Sequence, residues 1–120
     1  MNAPLHIAAR PWQRLKGLLG KDWKNDELLI VPCKDVHTIG MRQPIDIAFV
    51  DESGRVIDAW RKVKPWRRVR NRNAVAVIER FSADDVWLNP GDCIRFSRVT
   101  LSHQRRQIQP QRFEKDDPAA

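Results

Sequence analysis

The feature that most constrains the fold is a run of β-favouring residues that begins directly after a proline. In residues 45–50 (IDIAFV), apolar side chains recur at alternate positions, which predicts a strand with one strongly apolar face. The next four residues (DESG) are typical of a turn, in which Gly54 supplies the positive φ that such a hairpin loop favours. Residues 55–63 then return as the partner strand, so the sequence predicts a β-hairpin.

Weaker patterns on both sides of the hairpin predict the other elements. These are a helix at 11–19, strands at 28–31, 74–80 and 93–101, and a short helical turn at 82–88. The helix is predicted from apolar residues at three- and four-residue steps, with Pro11 at its first turn and Gly20 at its end. Together these elements predict an α+β fold that is mostly β, a small barrel-like antiparallel or mixed sheet with one N-terminal helix and a short helical turn.

The 120-residue length fits one domain. We expect residues 1–9 to be a mobile N-terminal arm, residues 10–101 to form the single domain, and residues 102–120 to be a disordered polar tail. The apolar runs, such as that at 28–31, are far shorter than the ~20 residues of a membrane-spanning helix, and no signal-peptide pattern opens the chain. The expected location is therefore the cytoplasm, with Cys33 and Cys93 as free thiols.

The formal net charge is +7, and the basic residues are concentrated in one stretch that contains no acidic residue, at 61–72. Its candidate anion-binding residues are Arg61, Lys62, Lys64, Trp66, Arg67, Arg68 and Arg70. An aromatic side chain among arginines is typical of proteins that bind single-stranded nucleic acids, so a nucleic acid or another anionic surface is one predicted partner. The alternative is a solvated surface that keeps the protein soluble.

Four segments carry a resemblance to a known family. They are residues 14–20 (RLKGLLG), 32–49 (PCKDVHTIGMRQPIDIAF), 63–67 (VKPWR) and 76–79 (AVIE). The second of these is the most specific, and together they resemble the signature of the domain-of-unknown-function 192 family over residues 12–97. The resemblance implies a compact β-rich domain, similar to small cradle-shaped barrels, and it implies no assigned biochemical role.

The same segments supply candidate site residues. The candidate catalytic residues are Cys33, His37, Asp46 and Glu79, and the candidate ligand-binding residues are His37, Met41, Arg42, Asp46 and Glu79. A histidine oriented by carboxylates can serve as a general acid or base, and a nearby thiol can serve as a nucleophile. The alternative is a buried polar network in which these groups satisfy the backbone and fix the orientation of the hairpin.

A metal site is not expected, although Cys33, His37 and Met41 are spaced four residues apart. On a helix this spacing would align three soft ligands, but the glycine and proline nearby disfavour a helix, and an extended chain would separate the three by more than about 20 Å. We expect no cofactor.

Three hypotheses about function remain. The first is a non-enzymatic ligand-binding or accessory protein, with a polar site around residues 33–46 and a small ligand or a protein as its partner. The second is a nucleic-acid or anionic-surface binder that uses residues 61–72. The third is a small Cys/His hydrolase-like enzyme, and the balance of the sequence signals leans against an enzyme.

Overall fold

The computed structural model of this chain describes residues 5–10, 17–24, 26–95 and 111–112. The strands in these residues are β1 (Leu5–Ala8), β2 (Glu27–Ile30), β3 (Asp35–His37), β4 (Ile45–Val50), β5 (Val56–Val63), β6 (Arg68–Arg70), β7 (Ala76–Phe81), β8 (Ile94–Arg95) and β9 (Gln111–Arg112). The main sheet has the order β1-β2-β7-β4-β5, and two smaller sheets pair β3 with β6 and β8 with β9. The described part of the chain is therefore built mostly from β-sheet.

The central strands β4 and β7 pair antiparallel over six residues each, and every one of their residues is buried. Because both faces of this pair are covered, the sheet separates two hydrophobic cores. One core contains Ile47, Phe49 and Val77, while the other contains Ile78 and Trp87. Neighbouring residues on a strand point to opposite faces, so each central strand contributes side chains to both cores.

The predicted hairpin is confirmed, because β4 pairs antiparallel with β5. In the turn between them, the side chain of Asp51 accepts hydrogen bonds from the backbone N–H groups of Ser53 and Arg55, at 2.9 and 3.0 Å. Gly54 has a φ of 86°, and a Cβ atom there would lie 2.6 Å from the carbonyl oxygen of Ile94. The turn therefore needs glycine both for its backbone angle and for its close approach to β8.

The predicted α+β class is wrong, because the described residues contain no helix. Residues 11–16 of the predicted helix at 11–19 lie outside the described residues. The residues after them form a turn, in which Gly17 and Gly20 have φ values of 53° and 80°. These left-handed angles are incompatible with a right-handed helix that continues through residues 17–20, where Leu18 is buried in the core.

The short helical turn predicted at 82–88 is also absent, and this segment is irregular with bends at residues 84 and 85. Two of its backbone carbonyls accept hydrogen bonds from a side chain instead of from backbone N–H groups: the Arg61 guanidinium donates to the carbonyls of Ala83 and Asp85, at 2.6 and 3.2 Å. The side chain of Asp85 accepts from Arg80 rather than capping a helix. Tertiary partners thus replace the local capping that the sequence suggested.

The N-terminal segment also differs from the expected arm, because β1 belongs to the main sheet. It pairs in parallel with β2, and Leu5 is completely buried. At the other end, β8 pairs with β9, while the remainder of the predicted polar tail and residues 96–101 lie outside the described residues. Across the described ranges, no helix is long and apolar enough to cross a membrane.

Candidate ligand-binding surface

A small antiparallel ribbon joins the two sites that the sequence predicted separately. Strand β3 belongs to the candidate ligand-binding segment, and β6 belongs to the basic stretch. They pair with His37 opposite Arg68 and Asp35 opposite Arg70. The middle pair, Val36 and Val69, packs against the first core, whereas the four flanking residues are exposed. One face of the ribbon is therefore anchored to the protein, and its charged face is open to solvent.

A buried threonine connects this ribbon to the turn that precedes β6. The Thr38 hydroxyl donates to the carbonyl oxygen of Lys64 at 2.7 Å and accepts from the backbone N–H of Arg67 at 2.8 Å. The Thr38 carbonyl accepts from the backbone N–H of Trp66 at 3.1 Å, and that of Met41 also donates to it at 3.1 Å. Since Thr38 is 1% exposed, these bonds are shielded from water and fix residues 64–67 against residues 38–41.

Ion pairs remove two of the predicted anion-binding residues from this surface. Arg61 and Lys62 lie on β5, at the edge of the main sheet. Arg61 pairs with Asp46 (Nε to Oδ2, 3.2 Å). Lys62 pairs with Asp84 (Nζ to Oδ1, 3.1 Å). Their charges are therefore compensated within the protein.

The other basic residues lie on the ribbon and in the turn before it. Arg68 pairs with Asp35 (Nε to Oδ1, 3.0 Å), and its guanidinium holds the pKa of Asp35 below the usual range. Lys64, Arg67 and Arg70 are exposed and form no ion pair with any residue that the structure describes. We define the basic surface as His37, Lys64, Trp66, Arg67, Arg68 and Arg70.

Asp46, predicted as both a candidate catalytic and a candidate ligand-binding residue, lies in a buried network on the second core's face of the sheet. Its carboxylate is completely buried and accepts from the Lys62 backbone N–H (2.9 Å), the Ser82 hydroxyl (2.8 Å) and Arg80 Nε (2.9 Å). Burial raises the pKa of Asp46, but these hydrogen bonds and the charge of Arg61 outweigh it and keep the pKa below the usual value. These contacts favour the charged form of Asp46, which is the centre of a structural network.

Arg80 extends this network across the face of the sheet. It is 6% exposed, and besides Asp46 it binds Asp85 (Nη2 to Oδ1, 2.7 Å). Its guanidinium lies 4.9 Å from the centre of the Trp87 ring, and the Trp87 indole donates to Glu27 at 2.6 Å. The two acidic partners explain how a guanidinium can be buried here.

Glu79 lies on the opposite face of the sheet, because it follows Ile78 and precedes Arg80 on β7. Its neighbours in register, Leu28 of β2 and Ile47 of β4, are apolar. Burial raises the pKa of Glu79 to about 7, against the lowering effect of a hydrogen bond from the Leu18 backbone. A Cβ atom on Gly17 would come within 3.1 Å of its carboxyl oxygen, so this turn closes over the carboxyl group.

The candidate catalytic residues therefore do not converge. Asp46 and Glu79 are on opposite faces of the main sheet, and His37 is exposed on the ribbon. The His37 ring accepts from the backbone N–H of Ile39 at 3.3 Å, and the Cys33 thiol donates to the carbonyl oxygen of Asp35 at 3.4 Å. Asp46 is instead surrounded by the donors described above, which agrees with the alternative of a buried structural network.

The remaining predicted site residues also lie in different environments. Met41 is half-buried and packs against the first core, while Arg42 is exposed. Neither Cys33 nor Cys93 forms a disulfide within the residues that the structure describes. Two structurally central residues were missed: Thr38, which connects the ribbon to its neighbouring turn, and Arg80, which bridges two carboxylates. An arginine near the end of a strand whose other residues, apart from Glu79, are apolar was the available signal for Arg80, since such a charge needs buried partners.

Comparison with known proteins places this arrangement in a family. The sequence matches DUF192, described as uncharacterized ACR, over residues 2–96. Among curated proteins, none matches significantly. The fold is similar to a crystal structure of a protein of unknown function from Novosphingobium aromaticivorans, with a TM-score of 0.59 and 14% identity, covering 89% of this chain and 73% of that one.

It is also similar to a putative transcription regulator from Sinorhizobium meliloti, with a TM-score of 0.58 and 16% identity, covering 90% of this chain and 80% of that one. At these identities the two structures support the fold alone. The family match, in contrast, spans most of the chain and includes both the ribbon and the central strands. This chain therefore belongs to the domain-of-unknown-function 192 family.

Proposed function

We propose that this protein is a non-enzymatic binding domain whose basic surface binds a ligand with several phosphate groups, such as a nucleic acid. The observation that carries the proposal is the group of exposed cations Lys64, Arg67 and Arg70, held on an anchored ribbon and the turn before it. Lys64 and Arg67 have no acidic partner among the described residues, and Arg70 lies opposite Asp35, whose carboxylate pairs with Arg68. Guanidinium and ammonium groups form charge-assisted hydrogen bonds with phosphate oxygens. Because the ribbon is fixed by Val36 and Val69, less conformational freedom is lost on binding.

This proposal unites the first two hypotheses from the sequence. The predicted ligand-binding segment and the predicted anion-binding stretch meet at the pairing of His37 with Arg68. The hydrolase hypothesis has less support, because the Cys33 thiol bonds to a backbone carbonyl and the Asp46 carboxylate is occupied by structural donors. Binding through an exposed charged surface requires neither group.

The test is a fluorescence-anisotropy titration of a labelled oligonucleotide at several salt concentrations. Binding through phosphates releases counterions, so the logarithm of the affinity should fall linearly with the logarithm of the salt concentration. We expect Arg67→Gln and Arg70→Gln each to weaken binding and to reduce the magnitude of that slope by about 0.7 to 1, because each removes one phosphate contact.

Arg55→Gln is the matched control. Arg55 is exposed and precedes β5, whereas Lys64 follows it, so the eight residues of the strand separate the control from the basic surface by about 25 Å. The affinity of Arg55→Gln for the oligonucleotide, and the slope of that affinity with salt concentration, should equal those of the unchanged protein. An affinity that does not respond to salt, or an equal loss in all three variants, contradicts the proposal.

A further inference from the structure

Trp66 has a backbone conformation that a bulky residue rarely adopts. Its φ is 66°, in the left-handed region, where a side chain other than glycine costs on the order of 1–3 kcal/mol. The conformation persists because Thr38 holds the backbone on both sides of this residue: it bonds to the carbonyl of Lys64, two residues earlier, and to the N–H groups of Trp66 and Arg67. The surrounding structure therefore imposes this backbone geometry.

The Trp66 side chain makes little packing contact with the rest of the protein. Trp66 is 67% exposed, whereas Trp87 is 4% exposed and donates its indole N–H to Glu27. Within the described ranges, the Trp66 ring forms no aromatic stack and no cation–π contact, which are instead formed by Trp23 and Trp87. The strained backbone opposes folding and the mostly exposed ring contributes little to it, so neither is explained by stability.

The residues on either side of the indole indicate its partner. Lys64 lies two residues before it and Arg67 directly follows it, and both are exposed without an acidic partner among the described residues. A base that stacks on an indole places its phosphates within reach of nearby cations, and each stacked base contributes about 1–3 kcal/mol. A duplex cannot use this contact in the same way, because the faces of its bases are covered by their neighbours.

We propose that Trp66 is a stacking platform for an unpaired base, and that the ligand of the basic surface is a single-stranded nucleic acid. This inference rests on the proposed function, which requires only a ligand with several phosphates. It adds that the indole discriminates single strands from duplexes. The left-handed turn at Trp66 and the Thr38 bonds fix the backbone that carries the exposed indole and the adjacent Arg67.

The experiment compares the full chain with Trp66→Gly in binding a labelled single-stranded DNA of 12 nucleotides and the corresponding duplex. Glycine adopts a φ of 66° without strain, so this variant removes the ring and should melt at the same temperature or a higher one. We expect its affinity for the single strand to fall about 5- to 100-fold with an unchanged salt slope, because the lost contact carries no charge. Its affinity for the duplex should not change.

Two further variants complete the test. Trp66→Phe keeps an aromatic face and should retain most of the affinity for the single strand. Trp60→Ala is the control, since this tryptophan is 47% exposed on β5, where its indole donates to Asp58. It should bind the single strand as the unchanged protein does.

The possible failures are distinguishable. If the single strand and the duplex bind equally, or if Trp66→Gly retains its affinity for the single strand, the stacking inference is overturned while the proposed function stands. If neither nucleic acid binds in a salt-dependent manner, both are overturned. Binding to phosphatidylserine vesicles without binding to either oligonucleotide overturns the inference and indicates a membrane surface instead.

Discussion

Glu79 places a carboxyl group in the apolar environment of the first core, where burial favours its neutral form. The only described contact that favours the charged form is the hydrogen bond from the Leu18 backbone, and the pKa rises from 4.5 to about 7. The folded protein therefore binds a proton between about pH 4.5 and 7 that the unfolded chain has released. In that interval stability falls as the pH rises, because the unfolded state binds fewer protons.

The variant Glu79→Gln should remove this pH dependence. It keeps the size of the side chain and an oxygen that can accept from Leu18, but it does not titrate. Urea unfolding at pH 5 and pH 8 should show that the unchanged protein loses roughly 3 kcal/mol between the two values through this group, while Glu79→Gln does not. Glu52→Gln, in the exposed turn after β4, is the control and should keep the original profile. Parallel profiles for all three proteins contradict this prediction.

At the scale of the elements, Asp46 shapes the edge of the main sheet. The pairing between β4 and β5 shifts register next to it, and Lys62, opposite the shift, has a φ of 55°. The Lys62 N–H donates to the Asp46 carboxylate, so the charged side chain satisfies the backbone that the irregularity releases from the ladder. Arg61 and Arg80 then supply the charge that allows this carboxylate to be buried.

Replacing Asp46 should therefore lower the free energy of unfolding much more than replacing Asp85, the exposed partner of Arg80. Asp46→Asn leaves the buried Arg80 without its buried carboxylate and should lower the free energy of unfolding by about 3–5 kcal/mol at pH 7. Asp85→Asn removes a partner whose side chain is 64% exposed and should cost about 0–1 kcal/mol. Chemical denaturation measures both values, and equal losses would show that the network does not depend on the buried carboxylate.

The elements that the sequence predicts best are those with local signals. The β4–β5 hairpin follows from alternation within one strand and from Gly54 in its turn, so no distant residue is needed to recognise it. The segment ending at Leu18 has helical spacing, yet Gly17 adopts a left-handed angle because the chain turns over Glu79, 62 positions later in sequence. Strand β1 was missed because its four residues depend on pairing with β2 rather than on a pattern of their own.

At the scale of the whole molecule, the same distinction applies to the site. The composition of the sequence identified the basic stretch and the polar segment. That they form one surface depends on the pairing of β3 with β6, which are separated by 30 residues. Likewise, alternation predicts that Asp46 and Ile47 point to opposite faces, but only the register with β7 separates Asp46 from Glu79. The chemical character of each segment could thus be inferred from the local sequence, whereas the way the segments come together in space could not.

Because both cores share β4 and β7, the described sheet should unfold as one cooperative unit. Ile47 and Ile78 are fully buried on opposite faces, so Ile47→Ala and Ile78→Ala make the same chemical change in different cores. Each should lower the free energy of unfolding by about 2–5 kcal/mol without changing the denaturant m-value. Val86→Ala, at a position that is 88% exposed, should change it by less than about 0.5 kcal/mol.

Circular dichroism and tryptophan fluorescence should give coincident transitions in every variant, because Trp23 packs on the first core and Trp87 in the second. A variant whose two transitions separate would show that the cores unfold independently.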